Sequence, residues 1–150
     1  MLELKAILLT QGMHGMVSQV EGLAKALEIE FTHHKVELNN FWNLLPPKFT
    51  PVSQNVYKKI DHLDFDIIIS CGRKSVIPSI HLKNISNKKV FNIHIQDPKV
   101  DLNHFDFVIH MKSLVLVYQL SYLYSYNLKY LFELLQLQLN LLRFHRMQKL

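Results

Sequence analysis

Three short clusters concentrate the residues of this chain that could do chemistry: Gln11-Gly12-Met13-His14-Gly15, Gly72-Arg73-Lys74-Ser75 and Gln96-Asp97-Pro98. Each follows a short apolar run. Gly12 and Gly15 permit positive φ and close backbone approach, and a helix starting behind them would offer unpaired N–H groups to an anion. Arg73 and Lys74 can pair with a phosphate or carboxylate, with the Ser75 hydroxyl beside them. Gln96 adds an amide, and Pro98 stops the strand that precedes it. His14 and Asp97 are the groups able to take a proton at neutral pH, which makes them the candidate general bases. The chemistry implied is recognition of an anionic or polyol ligand by Gly12, His14, Gly15, Gly72, Arg73, Lys74, Ser75, Gln96 and Asp97. Every cluster also has a plain reading: turn glycines, solvated cations, and an Asx-turn at Asp97. The first cluster is neither GxGxxG nor a P-loop, so no nucleotide cofactor is signalled.

Other candidates are weaker. The nine histidines show no metal-ligand spacing, and His33 and His34 would project to opposite faces of a strand. Cys71 ends an apolar run and reads as a small core residue. Ser75, His94 and Asp97 can be assembled into a triad on paper, but no nucleophile elbow supports it.

The elements that must position the clusters follow from the apolar pattern. Strands are expected over Leu4–Thr10, His33–Leu38, Asp66–Cys71, Lys89–Ile95 and Phe105–Ile109, with helices over Met16–Leu27 and Val52–His62. Val17, Val20, Ala24 and Leu27 share one face of the first helix. The run DIIISC is almost continuously apolar, as a strand buried on both faces requires. Asn39–Pro51 holds three prolines and reads as loop. The fold class expected is α/β: a Rossmann-like, mostly parallel five-stranded sheet with helices on both faces and right-handed crossovers. All three clusters then fall at the carboxyl ends of strands, where open α/β sheets bind ligands.

Composition changes near residue 110. Residues 1–110 contain 12 Ile, 12 Leu and 1 Tyr, whereas residues 111–150 contain no Ile, 13 Leu and 5 Tyr, and lack Gly, Pro, Asp, Ala and Thr. The division expected is a Rossmann-like domain over 1–110 and a Leu/Tyr-rich helical tail over 111–150. Leu128, Phe132, Leu135, Leu139 and Leu142 form an amphipathic stripe, and no apolar run reaches membrane-spanning length. A shifted reading frame is one origin for such a tail. The net charge of +5 divides as 12 Lys+Arg against 11 Asp+Glu over 1–110, and 5 against 1 over 111–150. The cations are therefore not gathered on the folded part, which argues against specific nucleic-acid binding. One cysteine and no secretory signal point to a cytoplasmic protein, membrane-peripheral if the tail contacts a membrane surface.

The segments GMHGMVSQVEGLAKAL, Trp42 with Leu45-Pro46, CGRKSVIPS, IQDP and FDFVI, in that order and spacing, resemble the mitochondrial fission (elongated-mitochondria) family. Gly12, His14, Gly15, Gln19 and Gly22 match its first loop and helix. Gly72, Arg73 and Pro78 match its second signature, Gln96, Asp97 and Pro98 its third, and Phe105, Asp106, Val108 and Ile109 its next strand. The resemblance implies a GT-B-like glycosyltransferase architecture of two Rossmann-like domains, of which this chain would carry the acceptor-side half. The family's Pro-x-His-Asp-type loop is absent after Ile109. A truncated and inactive fragment is thus expected, whose ancestral reaction moved a sugar from a nucleotide sugar to an envelope or lipid-linked acceptor. The role of plant members in recruiting fission machinery to a membrane implies an alternative, a scaffold docking through its C-terminal helix.

Overall fold

A computed structural model of the protein describes residues 4–61 and 64–109, together with 133, 136, 137 and 140. Five strands, β1 (Lys5–Thr10), β2 (Glu30–Lys35), β3 (Ile67–Cys71), β4 (Phe91–Ile95) and β5 (Phe107–Ile109), form one sheet in the order β2-β1-β3-β4-β5. Every pairing is parallel. Two helices, α1 (His14–Ala26) and α2 (Val76–Ile85), connect β1 to β2 and β3 to β4. The α/β, Rossmann-like expectation holds.

Alternation along the strands divides the core into two layers. Ala6, Leu8, Ile67, Ile69, Cys71, Ile93 and Phe107 pack with Val20, Ala24 and Leu27 at α1. The intervening Ile7, Leu9 and Ile68 pack with Leu82 of α2, Val36 and Val90 on the opposite face. β3 and β4 are buried along their whole length; β3 accordingly reads as an almost continuous apolar run, whereas β4 alternates Phe91, Ile93 and Ile95 with the buried polar Asn92 and His94. β2 is an edge strand with alternating exposure. α1 ends in a Schellman-type turn, with Ile29 N donating to Ala24 O (3.1 Å) and Glu28 N to Lys25 O (3.0 Å). Glu28 supplies the positive φ (54°) of that turn.

Two expectations are corrected. β2 begins at Glu30, three residues before His33, because pairing with β1 in register from Lys5↔Glu30 to Thr10↔Lys35 outweighs the polar look of Glu30 and Thr32. The helix expected over Val52–His62 does not form; only a 3-10 turn, Gln54–Val56, is present. Ser53 caps that turn, the Asn39 amide donates to Asn55 O (2.6 Å), and Tyr57 is extended to bridge Leu38. Tertiary pairing thus holds Tyr57 and its neighbours out of helical geometry. The other strands start one or two residues inside their expected bounds. The helical tail expected over 111–150 lies outside the described residues apart from Glu133, Gln136, Leu137 and Asn140, which are helical.

Candidate functional site

The sheet order contains one reversal. β1 has β2 on one side and β3 on the other, and the chain leaves β1 toward α1 but leaves β3 toward α2 on the opposite face. Loops that diverge in this way open a crevice at the carboxyl ends of the two strands. The first two clusters lie at this switch point, and the third follows β4, the next strand in the sheet.

Each loop is shaped by a specific local device. The buried Thr10 hydroxyl accepts from Gly12 N (3.0 Å) and contacts His33 Nε2 (2.8 Å), so β1 and β2 jointly set the turn in which Gly12 takes φ +84°. The Lys35 side chain crosses this turn, 3.2–3.3 Å from where a Gly12 Cβ would stand. Gly72 takes φ +88°, and a Cβ there would lie 2.8 Å from Gln11 Nε2 and from the Met16 thioether. The first and second loops are therefore in contact. Gln19 joins them from α1, its Oε1 accepting from the Cys71 thiol at 3.3 Å. After β4 the positive φ falls on a residue with a side chain, Gln96 (φ +89°). A non-glycine residue in this region carries backbone strain, a feature that concentrates at functional sites.

The expected site residues differ in what they have to offer. His14 is exposed at the first position of α1. Gly15 is helical, and a Cβ there would have nothing within 4 Å, so positive φ is not the reason for glycine at this position. Ser75 is buried and donates to the carbonyls of Cys71 and Gly72 (2.8 Å each), a structural task. Lys74 is half-exposed at the rim. Asp97 forms the Asx-turn, accepting from Lys99 N (3.0 Å) and pairing with Lys99 Nζ (2.5 Å). Arg73 reaches back across the rim, donating to Asn43 O (2.9 Å) and Leu45 O (3.3 Å). A ligand anion would have to share that guanidinium with two carbonyls. Arg73→Ala should therefore release the loop: amide exchange at Leu44 and Leu45 is expected to quicken about tenfold, the equivalent of one lost charge-assisted bond pair. Unchanged protection at those amides would show that Arg73 does not hold them.

The triad assembled on paper is not formed, because His94 pairs with Ser70 rather than Ser75. Ser70 and His94 are register partners in β3 and β4, and Ser70 Oγ lies 2.8 Å from His94 Nδ1. The hydroxyl also donates to Ile93 O (3.2 Å), which leaves Nδ1–H to donate to the hydroxyl oxygen. The His94 ring stacks obliquely on Phe105 (5.3 Å), and its Nε2 is buried without a partner. Burial pushes its pKa down to about 3, with Asp97 acting weakly the other way. Such an imidazole is neutral and shielded, unlike a catalytic base in reach of solvent. Ser70, His94 and Asn92 are the polar residues in the runs IIISC and FNIHI, a signal that sequence reading could have used. Burial likewise pushes the Cys71 thiol up to about 11, so it is a core group and not a nucleophile.

A separate cleft of about 410 Å³ opens at the opposite end of the sheet, lined by Ile60, Phe65, Leu82 and Ile85 with Asp64 and Lys88 at its lip. Lys88 pairs with Asp64 (2.5 Å) and Asp66 (2.8 Å). Lys59, Asp61, Ser86 and Asn87 also line the cleft. Among the described residues no group of His, Cys, Asp and Glu could hold a metal ion, and no helix is long and apolar enough to cross a membrane.

The fold defines an open, doubly wound α/β domain with a polar rim at its topological switch point. Residues 14–112 match the family model described as Mitochondrial fission ELM1. This is well over half of the 150-residue chain, and the chain belongs to that family. No curated protein and no solved structure matches it.

Proposed function

We propose that the domain over residues 1–110 is the acceptor-side half of a GT-B-like sugar-transfer scaffold, and that by itself it binds ligand without turnover. The observation that carries this reading is the adjoining of two diverging loops, with Gly12 and Gly72 both at positive φ, at the reversal in strand order. Such a crevice suits a polyol or a sugar-linked anion. Lys74 supplies the cation, the α1 N-terminus its backbone N–H groups, and His14 a proton acceptor beside them. Transfer requires donor and acceptor to be held together in near-attack geometry. One Rossmann-like domain provides a single wall of the two-walled cleft that the GT-B resemblance implies. The natural acceptor on this reading is an envelope-type or lipid-linked sugar.

An NMR titration tests it. A hexose phosphate is expected to shift the amides of residues 11–16, 72–75 and 96–99, while nucleotide sugars bind no better than the hexose phosphate. Tight, saturable binding of one nucleotide sugar in preference to others would overturn the acceptor-side assignment.

A further inference from the structure

Seven large apolar side chains are exposed among the described residues, and five of them belong to the loops after β1 and β2: Met13 (60%), Phe41 (65%), Leu44 (82%), Phe49 (65%) and Val52 (38%). Four of the five belong to the loop after β2. Local geometry explains why they point outward. Leu44 N donates to Phe41 O and Leu45 N to Trp42 O (3.3 Å each), a helical type of turn. Residues three apart share a side in such a turn. Phe41 and Leu44 therefore project together, while Trp42 turns inward against the Val56, Tyr57 and Ile77 cluster. Arg73 fixes the turn from below through the Asn43 and Leu45 carbonyls, and Thr50 Oγ1 ties the next bend to Pro46 O (3.0 Å). The apolar tips are thus displayed by a braced loop, and no rearrangement is needed to present them.

Along the chain the loop carries lysines and no carboxylate, with Glu37 paired to Lys58 at its edge. From Leu38 to Ile60 the chain contains no Asp or Glu and three lysines. Lys48 lies 5.5 Å from the Phe49 ring centroid, so a cation stands directly beside an exposed aromatic ring. Lys74 adds another at the adjoining loop. Lysine is depleted in protein–protein interfaces, whereas aromatic and leucine tips flanked by lysine suit the headgroup boundary of an anionic bilayer.

We propose that the loop over residues 39–52 docks this domain on an anionic membrane surface, inserting Phe41, Leu44 and Phe49 at the headgroup level while Lys48 engages lipid phosphate or carboxylate. The proposal does not depend on the sugar-transfer reading. It assigns membrane contact to a loop of the domain itself.

The test is co-sedimentation of the full chain with phosphatidylcholine vesicles, with and without about 30 mol% phosphatidylserine as the anionic lipid. Wild-type protein should bind the anionic vesicles, less so as salt is raised. Phe41→Ser/Leu44→Ser should weaken binding at least about tenfold, and Lys48→Glu should weaken it chiefly at low salt. Both variants change exposed positions, and circular dichroism would verify that they fold. Failure of wild-type protein to bind, or undiminished binding by the double variant, overturns the proposal. So does self-association that the double variant abolishes while vesicle binding persists, since the patch would then join copies of this chain.

Discussion

Lowering the pH from about 6.5 toward 3 is expected to remove about 3–5 kcal/mol of folding stability, and His94→Leu is expected to abolish most of that loss. His94 is fully buried, and its folded-state pKa is held at about 3 against an ordinary 6.5. The sign follows from which state takes the proton. Between these two values the unfolded chain protonates His94 and the folded chain does not, so acid favours unfolding. The stabilisation is complete above the unfolded value and disappears as pH falls through the folded one. His34 and His81 are also shifted down by burial, and Glu37 is held down by its bond to Lys58; together they leave a shallower slope behind. In the leucine variant Ser70 keeps its bond to Ile93 O, and the unpartnered Nε2 is gone. Urea unfolding of both proteins across this range provides the measurement. Parallel curves for wild type and His94→Leu would refute the assignment.

The sheet was legible because burial on both faces writes itself into β3 as an almost uninterrupted apolar run, and because the exits of β1, β3 and β4 carry a glycine or Gln-Asp-Pro. Those same exits disclosed the rim. β2 was harder, since an edge strand half in solvent needs few apolar residues, and Glu30, Thr32 and His34 hide it. The segment after Pro51 misled for another reason. Its Val52, Val56 and Ile60 fit helical spacing, but the Asn39–Asn55 bond and the Leu38–Tyr57 bridge are long-range, and no local pattern announces them.

The chemistry of single residues was less legible than the location of the clusters. Arg73 looked like a ligand cation, and its type alone could not reveal that two carbonyls some thirty positions away, those of Asn43 and Leu45, would occupy it. Likewise Ser75 and Ser70 are indistinguishable as hydroxyls. Only the parallel register decides which one meets His94. Spacing along the chain identifies which side chains reach an edge of the sheet, whereas partners are chosen across it.

The glycines divide in the same way, and they give the second large effect. Gly72→Ala is expected to destabilise the protein by about 2–4 kcal/mol, combining the penalty for an L-residue at strongly positive φ with steric displacement. The added Cβ would meet Gln11 Nε2 and the Met16 side chain at 2.8 Å, with φ fixed at +88°. Gln11 and Met16 can swing aside, but doing so separates the loops after β1 and β3. Loss of stability should therefore come with altered amide shifts at residues 11–16. Gly15→Ala is the control, because that position is helical and its Cβ would have open space. It should stabilise by about 0.5–1 kcal/mol through lower unfolded-state entropy. Thermal unfolding of the two variants ought to move in opposite directions. If Gly72→Ala unfolds at the wild-type temperature with unshifted amides in the first loop, the two loops do not share the contact on which the crevice depends.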